Sequence, residues 1–321
     1  MLTAAPIYIS WNYTYACNFN CTHCYSRAGS YPGELDTESY RRIVQQFKES
    51  HVLKVGLGGG EPLIRNDCID MLGLMAAARI DTNITSNGWF LNPAMCARLA
   101  EAGLGTLYVS MDSADRDTHD GFRRKTGSYD RVVEGITNAV AANLTVRLST
   151  VITTINENGL EPIVDLAESL GVGGIEFKRF RPTGNGRAVA DTLSLEQAGE
   201  ATVRSTVTEL DSGSALDIAL VYGEEADGGI DSGCPCGIRS LTLRPNGDVA
   251  PCAYSDTVIG NLMNDDLGSM WRGSPALLAM RTGAGCSGLI RGPSPSGSGF
   301  APTPRRLPLS PTSGSEAGCS H

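Results

Sequence analysis

The sequence lacks long hydrophobic runs and any segment that would direct the chain to a membrane or out of the cell. Its longest apolar run, Met71–Ala78, is far shorter than the ~20 residues that span a bilayer. Met1–Ser10 has neither a basic start nor a long apolar stretch, so no signal peptide is expected. The motifs of P-loop nucleotide binding, H-E-x-x-H metalloproteases and G-x-S-x-G hydrolases are absent, and no internal repeat stands out. We therefore expect a cytoplasmic protein.

Basic charge is also scarce. The chain has 26 Lys and Arg against 35 Asp and Glu, which gives a net charge of −9. Such a balance argues against nonspecific binding to nucleic acid or to anionic membranes, so neither is expected as a partner. At 321 residues the chain exceeds the ~250–300 at which one core stops growing, so we expect one large domain with a small appendage.

Cysteine, by contrast, is abundant, with ten residues. Without a secretory signal, this number indicates metal or redox chemistry rather than disulfides. Cys17, Cys21 and Cys24 follow the spacing C-x3-C-x2-C, which places three thiols in one short loop. Thiolates hold iron–sulfur clusters. A four-iron cluster on three cysteines has one iron without a protein ligand, so a small molecule can bind there. A zinc loop and a disulfide framework are the alternatives, although zinc usually takes a fourth Cys or His.

The spacing and its flanks, Tyr15-Ala16 before and Tyr25 after, resemble the signature of radical S-adenosylmethionine (SAM) enzymes. The resemblance covers roughly residues 7–190, with a second block at 234–286. It implies a [4Fe–4S] cluster on the three cysteines, with SAM chelating the open iron. One electron, from a donor such as flavodoxin or ferredoxin, then cleaves SAM to a 5′-deoxyadenosyl radical that takes hydrogen from the substrate.

The order of predicted elements favours an α/β fold, a partial (β/α)6 barrel of the kind that radical SAM enzymes share. Six strand–helix units with short links predict a parallel sheet with helices outside. The predicted strands are 7–15, 53–57, 81–85, 106–112, 144–152 and 174–180. The predicted helices are about 36–51, 66–78, 93–102, 129–143, 160–170 and 194–210. Every unusual motif follows a strand, at the edge where barrel enzymes carry their chemistry.

Three of these strand ends supply the residues that the resemblance assigns to SAM. Gly58-Gly59-Gly60-Glu61 lets the backbone approach a ligand, because glycine has no Cβ. The alternative interpretation is a simple glycine turn. The segment also matches the motif that binds the SAM amino group in the family. By the same resemblance Ser110 would contact the SAM carboxylate with Asp112 nearby, and His23 would lie beside the adenine. The alternatives are a loop histidine and strand-end residues that cap the next helix.

A cationic segment follows the sixth strand. Residues 178–187 carry four cations and no acid in an acidic chain. Guanidinium groups suit carboxylates and phosphates, so Arg179 and Arg181 are candidates for binding an anionic substrate or the SAM carboxylate. A solvated basic loop is the alternative.

The second cysteine block resembles the SPASM or twitch extension of radical SAM enzymes. Cys234, Cys236, Cys252 and Cys286 would hold an auxiliary iron–sulfur cluster, and Asn246-Gly247 predicts a hairpin between them. A metal-free hairpin or a zinc ribbon is the alternative. The expected domains are a barrel over 1–212, the extension over 213–286, and a disordered Ser/Pro/Gly-rich tail over 287–321.

The expected substrate is a small anionic metabolite. SPASM-type relatives often modify ribosomal peptides, but many carry a leader-binding domain before the barrel, and only sixteen residues precede Cys17. A resemblance to the cytosylglucuronate decarboxylase of blasticidin-type pathways suggests decarboxylation of a sugar-acid nucleoside, a carbon–carbon lyase reaction of antibiotic biosynthesis. An oxidoreductase-type peptide maturase and a non-catalytic iron–sulfur or zinc protein remain as alternatives. The sequence assigns no catalytic residue.

Overall fold

The computed structural model describes residues 3–26, 33–221 and 235–284. These residues form a ten-stranded sheet with helices packed on its apolar face. The strands are β1 (Tyr8–Thr14), β2 (Lys54–Gly59), β3 (Asp81–Ser86), β4 (Thr106–Ser110), β5 (Val146–Ile152), β6 (Gly174–Arg179), β7 (Asp217–Val221), β8 (Ser240–Leu243), β9 (Asp248–Ala250) and β10 (Gly260–Asn261). The α-helices are α1 (Thr37–Glu49), α2 (Cys68–Ala77), α3 (Pro93–Glu101), α4 (Arg116–Arg123), α5 (Ser128–Ala141), α6 (Leu160–Ser169), α7 (Ala190–Leu193), α8 (Gln197–Gly213), α9 (Leu267–Gly273) and α10 (Pro275–Ala279).

The helices begin where the sequence offers caps. The Asp36 carboxylate accepts the Ser39 N–H (2.8 Å) at the start of α1. Asn92 caps α3 in the same way, and Pro93 occupies its first turn, where a missing N–H costs nothing. Phe47 on the apolar face of α1 packs edge-on against Trp11 of β1, with ring centroids 5.6 Å apart. In the described part of the chain, no helix is long and apolar enough to cross a membrane.

The sheet curls into the expected partial barrel. Strands β1 to β7 lie side by side in chain order and pair in parallel. Along a strand, side chains alternate between the two faces, so apolar residues point to the helices and polar ones inward. Inward residues of well-separated strands, among them Tyr8, Asn83, Ser149 and Lys178, line one common cavity. A flat sheet with strands ~4.8 Å apart could not bring them together, so the predicted fold class is confirmed.

The sheet extends further than the six predicted strands. β7, which the sequence left unassigned, pairs with β6 from beyond residue 212. The predicted hairpin is present as β8 and β9, and β8 pairs in parallel with β1. The sheet therefore continues across the predicted domain boundary, and the domain division stays a prediction. The strand was missed because the strand–helix pattern ended with α8.

Helix α4 was not predicted either. Its eight residues are mostly polar, and the next residue, Arg124, adopts the left-handed conformation (φ 51°) that ends the helix. Asp115 caps it by accepting the Thr118 N–H at 2.8 Å. The helix positions Phe122 and Arg123 at the barrel mouth, as described next.

Candidate active site

The loop after β1 carries Cys17, Cys21 and Cys24 to a cavity of about 280 Å³ at the carboxyl ends of the strands. All three cysteines line this cavity. The loop is held from three sides by backbone hydrogen bonds. Gly60 N–H donates to Thr14 (2.7 Å), Thr22 N–H to Phe122 (3.1 Å), and Asn185 N–H to Cys24 (2.8 Å). The structure thus brings the three predicted ligands to one site.

Hydrogen-bond donors lie near two of the three sulfurs. The Phe19 N–H lies 3.4 Å from Cys17 Sγ, and Asn87 Nδ2 lies 3.9 Å from the same atom. Arg123 Nη1 lies 3.9 Å from Cys21 Sγ. Burial raises the pKa of the Cys21 thiol, while the Arg123 charge lowers it. An iron–sulfur cluster binds thiolates, so the nearby cation favours the required form.

The arrangement does not suit a single ion. Among the described residues, no group of three or more His, Cys, Asp or Glu side chains is placed to hold one metal ion. In a [4Fe–4S] cluster each cysteine binds a different iron, so its ligands stand further apart than those of zinc.

The glycine motif forms one wall of the cavity. Gly59 has φ +92°, in the region that favours glycine, where β2 meets a bulge in β1. A Cβ on Gly60 would overlap the Ala16 carbonyl oxygen, so the motif also seats the cysteine loop. A Cβ on Gly58 would meet nothing nearer than Tyr25 Oη at 4.0 Å, and it would enter the cavity.

Glu61 has a structural role that its motif did not predict. Its carboxylate is buried and accepts hydrogen bonds from Ser86 Oγ (2.9 Å), Asn87 N–H (2.7 Å) and Leu63 N–H (3.3 Å). Burial raises the pKa of this carboxyl to about 7, against the opposing effect of these donors. Glu61 therefore ties the end of β2 to the end of β3.

His23 lies on the cavity wall beneath the cysteines. Its ring stacks on Phe122 of α4, with centroids 4.1 Å apart and planes 11° apart. Its Nδ1 atom is buried and has no hydrogen-bond partner among the described residues. Burial lowers the pKa of His23 well below its usual range, and the Arg123 charge adds to the effect. A neutral imidazole with an unpaired nitrogen can accept or donate one hydrogen bond to a ligand.

Ser110 and Asp112 occupy different positions. Ser110 lines the cavity, whereas Asp112 does not. Asp112 is buried and pairs with Arg123 (Oδ2 to Nη2, 2.6 Å), and its Oδ1 accepts the Val151 N–H. Arg123 lines the cavity in its place. Sequence reasoning missed Arg123 because its position depends on α4, which was also missed.

Deeper in the barrel, several polar side chains line the cavity. We call the part formed by Tyr8, Ser10, Asn83, Ser149 and Lys178 the polar chamber. Lys178 Nζ lies 3.0 Å from Glu176 Oε2, so its charge is balanced by a neighbour on the same strand face. Ordinary barrel interiors are filled with branched apolar residues, and this one is not. Inward-facing polar residues at period two were the signal available in the sequence.

The two arginines predicted for substrate binding do not reach this cavity. Strand alternation turns Lys178 inward and Arg179 outward, where it pairs with Glu200 of α8. Arg179 and Arg181 instead line a second cavity of about 180 Å³. The prediction took the cationic segment as one surface and ignored this alternation.

The second cysteine block approaches the first loop from β9. Cys252 is buried, its Sγ accepts the Tyr254 N–H (3.4 Å), and the Tyr254 ring meets Tyr25 edge-on at 5.6 Å. The thiols of Cys252 and Cys236 both act on the pKa of Tyr254, which burial raises to about 12. Cys234 and Cys286, the other two predicted ligands, lie outside the described residues, as does the tail over 287–321.

Residues 11–170 match the radical SAM superfamily, and residues 234–287 match SPASM, an iron–sulfur cluster-binding domain. Mycofactocin maturase MftC of Mycobacterium tuberculosis is 30% identical over 288 residues, which cover 86% of this chain and 73% of the maturase. The chain belongs to the radical SAM superfamily. It is an enzyme with a SPASM domain, and the domain implies auxiliary iron–sulfur clusters beside the [4Fe–4S] cluster and SAM of the barrel.

Other radical SAM relatives differ in what they act on. The AdoMet-dependent heme synthase of Methanosarcina barkeri is 25% identical over 303 residues, covering 87% of this chain and 86% of that enzyme. In structure, Streptococcus suis SuiB bound to precursor peptide SuiA superposes with a TM-score of 0.72. The two sequences are 19% identical, and the superposition covers 88% of this chain and 68% of SuiB. This similarity shows the shared fold. None of these supports the cytosylglucuronate decarboxylase resemblance.

The residues of the site fit the radical SAM cofactors. Three thiols meet at one cavity, Gly58 leaves open space beside them, and the unpaired Nδ1 of His23 is available to a ligand. Which side chains hold the cluster and SAM is taken up below as part of the proposal.

Proposed function

We propose that this radical SAM enzyme is a maturase that modifies a ribosomally made peptide. The observation that carries the proposal is the similarity to mycofactocin maturase, which extends over 288 residues and 86% of this chain. A peptide thus replaces the small anionic metabolite as the preferred substrate. The expectation of an anion drew on Arg179 and Arg181, and these two residues line the second cavity.

The polar chamber supports a peptide substrate. Ser10, Asn83 and Ser149 offer neutral donors and acceptors, and the one cation, Lys178, is already paired with Glu176. A site for a compact anion would need uncompensated positive charge. Hydroxyl and amide groups instead suit the N–H and C=O groups of a peptide backbone.

We assign roles to the site residues within this proposal. Cys17, Cys21 and Cys24 hold the barrel cluster, and Cys236 and Cys252 hold part of an auxiliary cluster with Cys234 and Cys286. Gly58–Gly60, Glu61, Ser110 and His23 contact SAM, while Asp112 acts behind them by positioning Arg123. When bound, cluster and SAM supply a carbon radical that removes a hydrogen atom from a substrate C–H bond. The chain's own residues orient the substrate and exclude water.

The test uses the full chain, reconstituted anaerobically with iron and sulfide. Short peptides encoded beside its gene are prepared with deuterium at every carbon and incubated with SAM and a reductant. A maturase is expected to release deuterated 5′-deoxyadenosine and to change the peptide's mass, both measured by mass spectrometry.

The control is the same reaction with sugar-acid nucleosides. The proposal is contradicted if these compounds stimulate 5′-deoxyadenosine formation and lose carbon dioxide while no peptide changes mass. Cofactor cleavage in both arms, without peptide modification, would retain the superfamily assignment and reject the substrate.

A further inference from the structure

Radical SAM chemistry needs one electron delivered to the barrel cluster, and the surface beside the cysteine loop has the features of an entry point. We propose that Arg124, Lys125 and Trp89 form a docking site for an acidic one-electron carrier protein. We call these three residues the basic patch. The inference concerns electron delivery and does not depend on which substrate the enzyme modifies.

Three consecutive cations divide between the interior and the surface. Arg123 points inward, 2.6 Å from Asp112 and 3.9 Å from Cys21 Sγ. The next residue, Arg124, is exposed at the end of α4, and Lys125 is half-buried beside it. Because Phe122 O accepts the Thr22 N–H (3.1 Å), this helix end is joined directly to the cysteine loop.

Several charged groups near the basic patch already have partners. Arg116 pairs with Asp130, and Arg131 pairs with Glu134 at 2.8 Å. The Asp120 carboxylate accepts three hydrogen bonds, from Gly127 N–H, Ser128 Oγ and Tyr129 N–H. Among the described residues, neither Arg124 nor Lys125 has an ion-pair partner. A locally positive surface on a chain of net charge −9 selects a partner with a negative face.

An aromatic path leads inward from the basic patch. Lys125 Nζ lies 4.6 Å from the centre of the Trp89 ring. The Trp89 ring meets Phe19 edge-on, with centroids 5.8 Å apart, and the Phe19 N–H lies 3.4 Å from Cys17 Sγ. A ring contact and one backbone hydrogen bond therefore connect the half-buried Trp89 to the sulfur of Cys17, a predicted cluster ligand.

The step is a single electron transfer. The carrier is oxidised by one electron, the cluster is reduced by one, and no bond forms or breaks. The basic patch affects only the encounter and the path, so it should change the rate with a protein donor and leave the rate with a small uncharged reductant alone.

The test compares reduction of the reconstituted enzyme by reduced flavodoxin and by photoreduced 5-deazariboflavin. The variant is Arg124→Asp with Lys125→Glu, since aspartate tolerates the left-handed conformation at residue 124. At low salt we expect a loss of roughly tenfold or more in the second-order rate constant with flavodoxin, measured by cluster absorbance and EPR. Binding of oxidised flavodoxin, measured by calorimetry, should weaken in parallel. The rate with deazariboflavin should stay within twofold.

The matched control is Lys48→Glu with Arg98→Glu, an equal charge reversal on exposed positions of α1 and α3. It should reduce at the wild-type rate with both donors. A neutral variant, Arg124→Asn with Lys125→Gln, gives the same test with a smaller change if the reversal folds poorly. The proposal is overturned if flavodoxin does not reduce the wild type, if the reversal has no effect, or if both donors slow equally.

Discussion

At the scale of single residues, burial decides which groups at the site carry charge. His119 is fully buried on α4, where its Nδ1 accepts the Asp112 N–H (3.4 Å). Burial lowers the pKa of His119 to about 4, and the nearby Arg123 charge adds to this effect. The histidine therefore helps to orient Asp112 as a neutral acceptor.

This burial makes stability depend on pH. The unfolded chain binds a proton at His119 below ~6.5, while the folded chain binds it only near pH 4. Stability from this residue is therefore lost as the pH falls through that window. Between pH 6.5 and pH 5 we expect a decrease of about 2 kcal/mol in the free energy of unfolding. His119→Asn should remove that part of the pH dependence in anaerobic urea unfolding.

The control is His51→Asn, the same replacement at an exposed position. If the difference in unfolding free energy between wild type and His119→Asn is the same at pH 5 and pH 6.5, His119 is not held neutral.

Residue identity alone could predict the three thiols but not their neighbours. Cys17, Cys21 and Cys24 lie within eight residues of the chain, so their spacing is visible in the sequence. Arg123 reaches Cys21 across 102 residues and through a helix that no apolar period indicated. Arg179 was expected to bind an anionic substrate or the SAM carboxylate, but it lines the second cavity, because charge was read without the alternation of β6.

At the scale of elements, the end of β2 has two separate functions. Gly60 lets β2 pass under the cysteine loop, whereas Gly58 faces the cavity. Gly60→Ala would place a methyl group against the Ala16 carbonyl and should displace the loop. We expect a loss of ~1–3 kcal/mol in stability and reduced iron content, measured by unfolding and by iron analysis.

Gly58→Ala is the matched variant, since its methyl group meets no protein atom closer than 4.0 Å. It should keep the wild-type iron content and weaken SAM binding, measured by calorimetry. Equal iron content and equal SAM affinity in both variants would show that the motif neither seats the loop nor faces the cofactor.

Regular elements were predictable where their periodicity was strong. Helix α1 was expected over about 36–51 and spans Thr37–Glu49, with Asp36 as its cap and Ile43, Val44 and Phe47 buried. β7 and α4 were missed because β7 follows the last recognised unit and α4 is short and polar. The periodicity of apolar residues predicts regular helices and strands, and the remaining elements depend on tertiary contacts.

At the scale of the whole molecule, the two cysteine blocks meet through Tyr25 and Tyr254. If Cys252 is a ligand of an auxiliary cluster, Cys252→Ser should lower the iron bound per chain after reconstitution to that of the barrel cluster alone. Cys96→Ala, at a buried cysteine of α3, should leave the iron content unchanged. Equal iron in Cys252→Ser and wild type would exclude Cys252 as a ligand.

The parallel sheet and its functional edge could be predicted because each unusual motif directly follows a predicted strand. The polar chamber could not, since it is formed by residues of strands up to 170 positions apart, such as Tyr8 and Lys178. Its lining depends on which face of each strand turns inward. An error of one residue in the position of a strand exchanges the inward and outward side chains.

Formation of 5′-deoxyadenosine from SAM tests the central claim most directly. The anaerobically reconstituted wild type should produce it when supplied with SAM and dithionite, as measured by liquid chromatography. Alanine at Cys17, Cys21 or Cys24 should reduce the product to background while Cys96→Ala keeps the wild-type rate. Wild-type production by a chain lacking all three thiols would contradict the account.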